Sequence, residues 1–286
     1  MPIAALPQGQ IAYRDTGGPG PVLVLTHGLV MDGSLWDAVV AQLAGEYRCI
    51  SPTLPLGGHR QAMSPRARLD LQGQADLLAD FLDHLELRDV VLVANDWGGP
   101  IVTATDHPDR VAALVLVATE AFDNIPPGLP GRVAAIAARL PGGLALAARS
   151  LRVPALRRLP LTLGWMAKGP LDDDMVRAWT EGLVRDARVR ADLRAYATAQ
   201  DFAVLDDACQ RLATFERPAL IVWSPEDRVM PPAHARRLVD LLPDARLAEI
   251  EDSYTLVPLD QPARLATELR RFLTNDLTTD GKSSAS

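Results

Sequence analysis

Four short runs of consecutive apolar residues constrain this chain more than any other feature. They are Val22-Leu-Val-Leu-Thr26, Val90-Val-Leu-Val-Ala94, residues 111–117 and Ala219-Leu-Ile-Val-Trp223. Each is too short for a buried helix, rich in β-branched residues and free of polar alternation, as expected of a strand covered on both faces. Between and around them lie stretches of helical spacing at 34–43, 69–86, 232–242 and 261–273, and shorter strands at 48–51 and 246–250. Another helix is expected between Gly99 and His107-Pro108. Strand and helix in alternation mean a largely parallel sheet flanked by helices, an α/β architecture.

The alternation stops between residues 122 and 214, where Ala, Leu, Arg and Pro dominate and no strand is evident. This segment is expected to form a helical lid inserted between two strands of a core made from 1–121 and 215–275. The small, polar tail 276–286 is expected to be disordered. A chain of 286 residues can bury a large core without a staple. Cys49 and Cys209 lack zinc-site spacing and read as buried small hydrophobes.

A formal net charge of −7 argues against nucleic acid as the main partner. No apolar stretch approaches the roughly 20 residues that span a bilayer, and the first residues lack a basic, apolar leader pattern. A soluble, cytoplasmic protein is expected, with a small molecule rather than a membrane as its partner. No metal cluster or dinucleotide fingerprint is present, so no cofactor is expected, and nothing in the sequence sets an oligomeric state.

Ligands of open α/β sheets bind where strands end, and the segment Val93-Ala-Asn-Asp-Trp-Gly-Gly99 follows such an end. Ala94 two before Asp96 and Gly98 two after it suit a sharp strand-to-helix turn that holds its central side chain above the sheet. The helix behind favours negative charge there. Two more loops sit at strand ends: His27-Gly28-Leu29-Val30 and Trp223-Ser-Pro-Glu-Asp227. With Leu259-Asp-Gln-Pro262, in this order, they make the chain resemble the α/β-hydrolase superfamily from about residue 8 to residue 274.

Aspartate in the elbow, followed by Trp-Gly-Gly, resembles the haloalkane dehalogenase and epoxide hydrolase branch. That resemblance implies Asp96 as a nucleophile that forms an alkyl ester. It implies an oxyanion hole from the backbone N–H groups of Leu29 and Trp97, with the Trp97 indole facing a leaving group. Asp227 is the favoured orienting acid and Glu120 the alternative. The position of the water-activating histidine, seven before Pro262, holds Thr255. Threonine does not titrate near neutrality and cannot take that proton. The resemblance is also incomplete after His27-Gly28, where Leu29 replaces a halide-binding Asn and Val30 replaces the proline usual in epoxide hydrolases.

Among the five histidines, His59 in the loop Leu54–His59 is the best substitute base. His27 reads as structural, His84 and His107 as helix-end residues, and His234 as lying on an exposed helix face. Asp123 and Asn124 are expected to cap the first lid helix. Trp165, Met166 and Trp179 read as lid packing or as an apolar lining for a small, largely apolar ligand. The epoxide hydrolase resemblance implies lid tyrosines that protonate the opening oxygen, but Tyr196, the one tyrosine of the lid, reads as packing.

Three functions are compatible with these residues. The first is Asp96-mediated hydrolysis with an unrecognised base. The second is non-hydrolytic chemistry (cyclase, lyase or isomerase) with Asp96 as acid or base. The third is ligand binding without catalysis.

Overall fold

A computed structural model describes residues 1–199 and 201–276. Eight strands form one sheet: β1 (Ile3–Leu6), β2 (Gly9–Asp15), β3 (Val22–Thr26), β4 (Arg48–Pro52), β5 (Val90–Asp96), β6 (Val111–Thr119), β7 (Ala219–Trp223) and β8 (Ala245–Glu249). Their spatial order is β1-β2-β4-β3-β5-β6-β7-β8. The β1–β2 and β2–β4 pairs are antiparallel, and every later pair is parallel. All four apolar runs become strands, and β3, β5, β6 and β7 lie side by side at the centre. Val24 pairs with both Ile50 and Leu92, and Val115 with both Val93 and Leu220. This register brings the ends of the parallel strands, and the loops that follow them, to one edge of the sheet.

Helices α1 (Asp37–Leu43), α2 (Leu71–His84) and α3 (Gly99–Asp106) precede the break in alternation, and α10 (Pro232–Leu241), α11 (Val257–Asp260) and α12 (Pro262–Asp276) follow it. Helix α1 packs on α12, and α2 on α3. The expected 34–43 helix begins as a 3-10 turn, Gly33–Trp36, because the Asp32 carboxylate accepts from the Ser34 N–H and holds the chain tight there. Helix α12 runs three residues past its expected end and reaches Asp276. The remainder of the expected disordered tail, 277–286, lies outside the described residues.

The described residues between β6 and β7 include the α-helices α4 (Gly128–Arg139), α5 (Gly143–Leu151), α6 (Pro154–Arg157), α7 (Asp173–Arg185), α8 (Ala187–Thr198) and α9 (Phe202–Arg211). Side chains tie this insert to the core. The Trp179 indole N–H donates to the Ser34 hydroxyl at 2.8 Å. Asp260 accepts from the Lys168, Gly169 and Tyr254 backbone N–H groups. Asp123 and Asn124 do not cap α4, whose cap position is Pro127 without a side-chain hydrogen bond. The Asn124 amide instead donates to the Val229 carbonyl at 3.1 Å, and so braces the loop that follows β7.

Candidate active site

Strand β5 is buried along its whole length and ends on Asp96. Asp96 has φ 67°, a left-handed value that L-residues rarely adopt and aspartate tolerates better than most. The Trp97 N–H closes the bend by donating to the Asn95 carbonyl at 2.8 Å. Two glycines make the bend possible. A Cβ on Gly98 would stand 2.9 Å from the Glu120 carbonyl oxygen, and a Cβ on Gly28 would collide with the Asp96 carboxyl. The small-residue spacing around Asp96 therefore has the steric cause expected of it. The requirement at Gly28 is a contact with a residue 68 positions away in sequence, which local pattern does not reveal.

The two carboxylate oxygens of Asp96 are in different situations. Oδ2 accepts from the Leu29 backbone N–H at 3.3 Å, while Oδ1 is buried with no hydrogen-bond partner among the described residues. The carboxyl lies at the floor of a cavity of about 550 Å³. Leu29, Val30 and Val229 border it from the core, and Ala137, Leu144 and Met166 are among the insert residues above. Asp96 is the one titratable side chain among the described lining residues. Burial pushes its pKa up to about 7, against the Leu29 hydrogen bond, with Asp227 adding repulsion.

Two further carboxyls stand behind it. The Glu120 backbone N–H donates to the Asp96 carbonyl at 2.9 Å, and Glu120 Oε2 accepts from the Gly98 N–H at 3.2 Å. Glu120 is fully buried, and burial with the Asp96 charge holds its pKa well above the usual carboxylate range. Asp227 Oδ1 accepts from the Val229 and Met230 N–H groups at 2.8 and 2.9 Å and from the Thr255 hydroxyl at 2.9 Å. Burial raises its pKa to about 6 despite these donors. Neither Asp96, Glu120 nor Asp227 has a cationic partner among the described residues. Burial is the main cause of all three raised pKa values, with Asp227 adding repulsion at Asp96 and Asp96 at Glu120.

Thr255 is buried beside Asp227, and its carbonyl accepts from the Asn95 amide at 2.8 Å. The same amide donates to the Val117 carbonyl at 2.8 Å, so Asn95 ties the elbow to the Thr255 loop. Sequence reading missed this role. An asparagine at the end of a wholly apolar strand was the available signal, because a buried amide needs partners.

Other expectations are redistributed. His59 is nine-tenths buried but does not line the Asp96 cavity. Its Nδ1 accepts from the Gly57 N–H at 3.3 Å, which leaves Nε2 to donate to Asp192 of α8 at 3.1 Å. Asp192 also accepts from the Met63 N–H at 2.9 Å. His59 therefore joins core loop to insert, because the loop runs under α8 rather than toward the elbow. The Trp97 N–H, expected in an oxyanion hole, is taken by the Asn95 carbonyl. The Trp97 indole is fully buried against Gly99 and does not line the cavity. Of the two expected backbone donors, Leu29 alone engages Asp96.

His27 is structural, as expected. Its Nε2 accepts from the Leu54 N–H at 3.0 Å, so Nδ1 donates to the Gly28 carbonyl at 2.8 Å. His234 is half-buried rather than exposed, edge-on to the Phe122 ring with centroids 5.3 Å apart. Met166 lines the cavity, whereas Trp179 and Tyr196 are buried away from it.

The order and direction of the strands, with the sharp bend at Asp96 at the end of β5, are those of the alpha/beta-hydrolase fold. The alpha/beta hydrolase family model matches residues 23–268, and the chain belongs to that family. Among its relatives is the cis-3-alkyl-4-alkyloxetan-2-one decarboxylase of Xanthomonas campestris, 28% identical over 284 residues and 92% of each chain. A haloalkane dehalogenase of Mesorhizobium japonicum is 32% identical over 109 residues, 37% of this chain and 35% of that one. An ancestral haloalkane dehalogenase structure superposes with a TM-score of 0.77 at 19% identity, covering 97% of this chain and all of the other. The esterase of Thermogutta terrifontis gives 0.70 at 22% identity, over 95% and 97%. These two likenesses establish the fold.

Proposed function

We propose that the insert is a lid over the active site and that Asp96 is a nucleophile toward electrophilic carbon in small, largely apolar molecules, as in haloalkane dehalogenases and epoxide hydrolases. The observation that carries this reading is the asymmetry of its carboxylate. Oδ2 is held by the Leu29 N–H, Oδ1 is buried without a hydrogen-bond partner among the described residues, and the residue stands at the floor of an apolar cavity. A carboxylate oxygen of Asp96 forms a bond to carbon while the bond from carbon to the leaving halide or ring oxygen breaks, its electron pair departing with that group. An alkyl ester on Asp96 results.

Hydrolysis of that ester requires a base to activate water. Thr255 stands beside Asp227 where the resemblance places imidazole, so this step is expected to be slow. The test is incubation with a short bromoalkane and with a terminal epoxide, followed by intact-mass analysis. Wild type should gain one alkyl group on Asp96 and Asp96→Asn none. Water labelled with heavy oxygen should mark the Asp96 carboxyl after turnover. Equal turnover by Asp96→Asn would overturn the reading.

A second reading is favoured by the Thr255–Asp227 hydrogen bond and the Asp96 pKa of about 7. In it Asp96 exchanges a proton with the substrate, and lack of an imidazole keeps water from competing. The Xanthomonas relative is described as a decarboxylase of a dialkyl oxetanone. A strained oxygen ring bearing alkyl chains is thus the substrate class for this alternative. It predicts turnover that Asp96→Asn abolishes, with neither mass adduct nor solvent oxygen in the protein.

A further inference from the structure

The insert carries a charge pattern opposite to that of the whole chain. No Asp or Glu occurs between Asp123 and Asp172, and residues 128–162 hold six arginines, in a chain of net charge −7. Arg152 pairs with Glu181 and Arg157 with Asp173. Arg132, Arg139, Arg149 and Arg158 are exposed and have no carboxylate partner among the described residues. The same stretch holds eight of the eleven large apolar side chains that stand exposed among the described residues. On α4, Leu129, Arg132, Ile136 and Arg139 recur every three or four residues and form one stripe. On α5 and beyond, Leu146 is 70% exposed and Arg149 lies one turn further on.

The cavity opens on this face. Ile136, Leu140, Leu146 and Leu161 both line it and are exposed, so they rim its mouth. An apolar rim set among unpaired arginines matches the interface of an anionic bilayer, where apolar side chains enter the acyl boundary and cations meet headgroups. A second copy of the chain fits poorly, because face-to-face contact would oppose two sets of unpaired arginines.

We propose that the α4–α6 face docks on the surface of anionic lipid bilayers with the cavity mouth against the membrane. Apolar substrate then passes from the hydrocarbon into the cavity without crossing water. This docking needs no spanning segment, and no helix among the described residues is long and apolar enough to cross a membrane. It is also independent of the chemistry at Asp96.

Flotation of the full chain with vesicles of phosphatidylcholine, with or without phosphatidylglycerol, tests the proposal. Binding is expected to the anionic vesicles, to fall with added salt, and to be at least about tenfold weaker on phosphatidylcholine alone. Replacing Arg132, Arg139, Arg149 and Arg158 together by Gln should weaken it roughly 100-fold. Ile136→Ser with Leu146→Ser should weaken it with no fall in thermal midpoint, since both side chains are exposed. Asp96→Asn should bind as wild type does. Absence of binding to anionic vesicles, undiminished binding by the arginine variant, or a dimer dispersed by Ile136→Ser would each overturn the proposal.

Discussion

The Thr255 hydroxyl donates to Asp227 Oδ1 at 2.9 Å, at the position where the resemblance implies an imidazole. On the proposed ester route this leaves no imidazole to carry a proton between water and Asp227. Thr255→His should supply one. The lifetime of the Asp96 ester should fall by about 10²-fold or more, the usual contribution of a positioned general base. Single-turnover mass kinetics would show it. An unchanged lifetime in a folded Thr255→His protein would count against the ester route.

Adduct formation should follow the ionisation of Asp96. With its pKa pushed up to about 7, the nucleophilic form accumulates as pH rises through neutrality. Initial rates of alkylation should therefore climb with pH and level off above about 8. A rate that is flat from pH 5 to 9 would place the reactive ionisation elsewhere.

Stability should run the opposite way. Asp96, Asp227 and Glu120 all have folded pKa values raised above their unfolded ones. Between those values the folded state binds more protons than the unfolded state, so stability falls as pH rises. It is greatest below about pH 4 as far as these groups decide, and their destabilisation is complete above their folded pKa values. Asp96→Asn removes one such group and should stabilise the protein at pH 8 by on the order of a few kcal/mol, with little gain at about pH 4. Denaturant unfolding at the two pH values measures the difference.

Gly28→Ala places a methyl group against the Asp96 carboxyl. The carboxyl must then leave the Leu29 N–H or the loop must shift. A loss of alkylation of about 10²-fold or more is expected from misplacement on this scale. Circular dichroism should show the fold retained. Activity within a few-fold of wild type would show that the close approach is dispensable.

His59→Ala should separate structure from chemistry. It leaves Asp192, which joins the insert to the Met63 loop, short of one hydrogen bond. A loss of roughly 1–3 kcal/mol is expected from unfolding measurements. The alkylation rate constant should stay within about twofold, since His59 does not line the cavity. A large fall in that rate at unchanged stability would return His59 to the reaction.

The identity of the central strands was legible in the sequence, because they are buried on both faces and therefore consist of unbroken apolar residues; their spatial order was not. Strands β1 and β2 were not, since they form a half-exposed antiparallel edge and carry no such run. The elbow at Asp96 was legible for a steric reason, as the small residues that permit the bend lie within two positions of it. His59 was not. Its chain position suggested the active-site edge, but its partner Asp192 lies 133 residues away on α8. The same holds for the Thr255–Asp227 bond, for Asn95 bridging two loops, and for Gly28 under the Asp96 carboxyl. Local rules of burial and backbone geometry act within a few residues and can be read from the chain. The protonation state of Asp96 and the bareness of its Oδ1 arise from desolvation and from donors brought together across the fold, and only tertiary structure decided them.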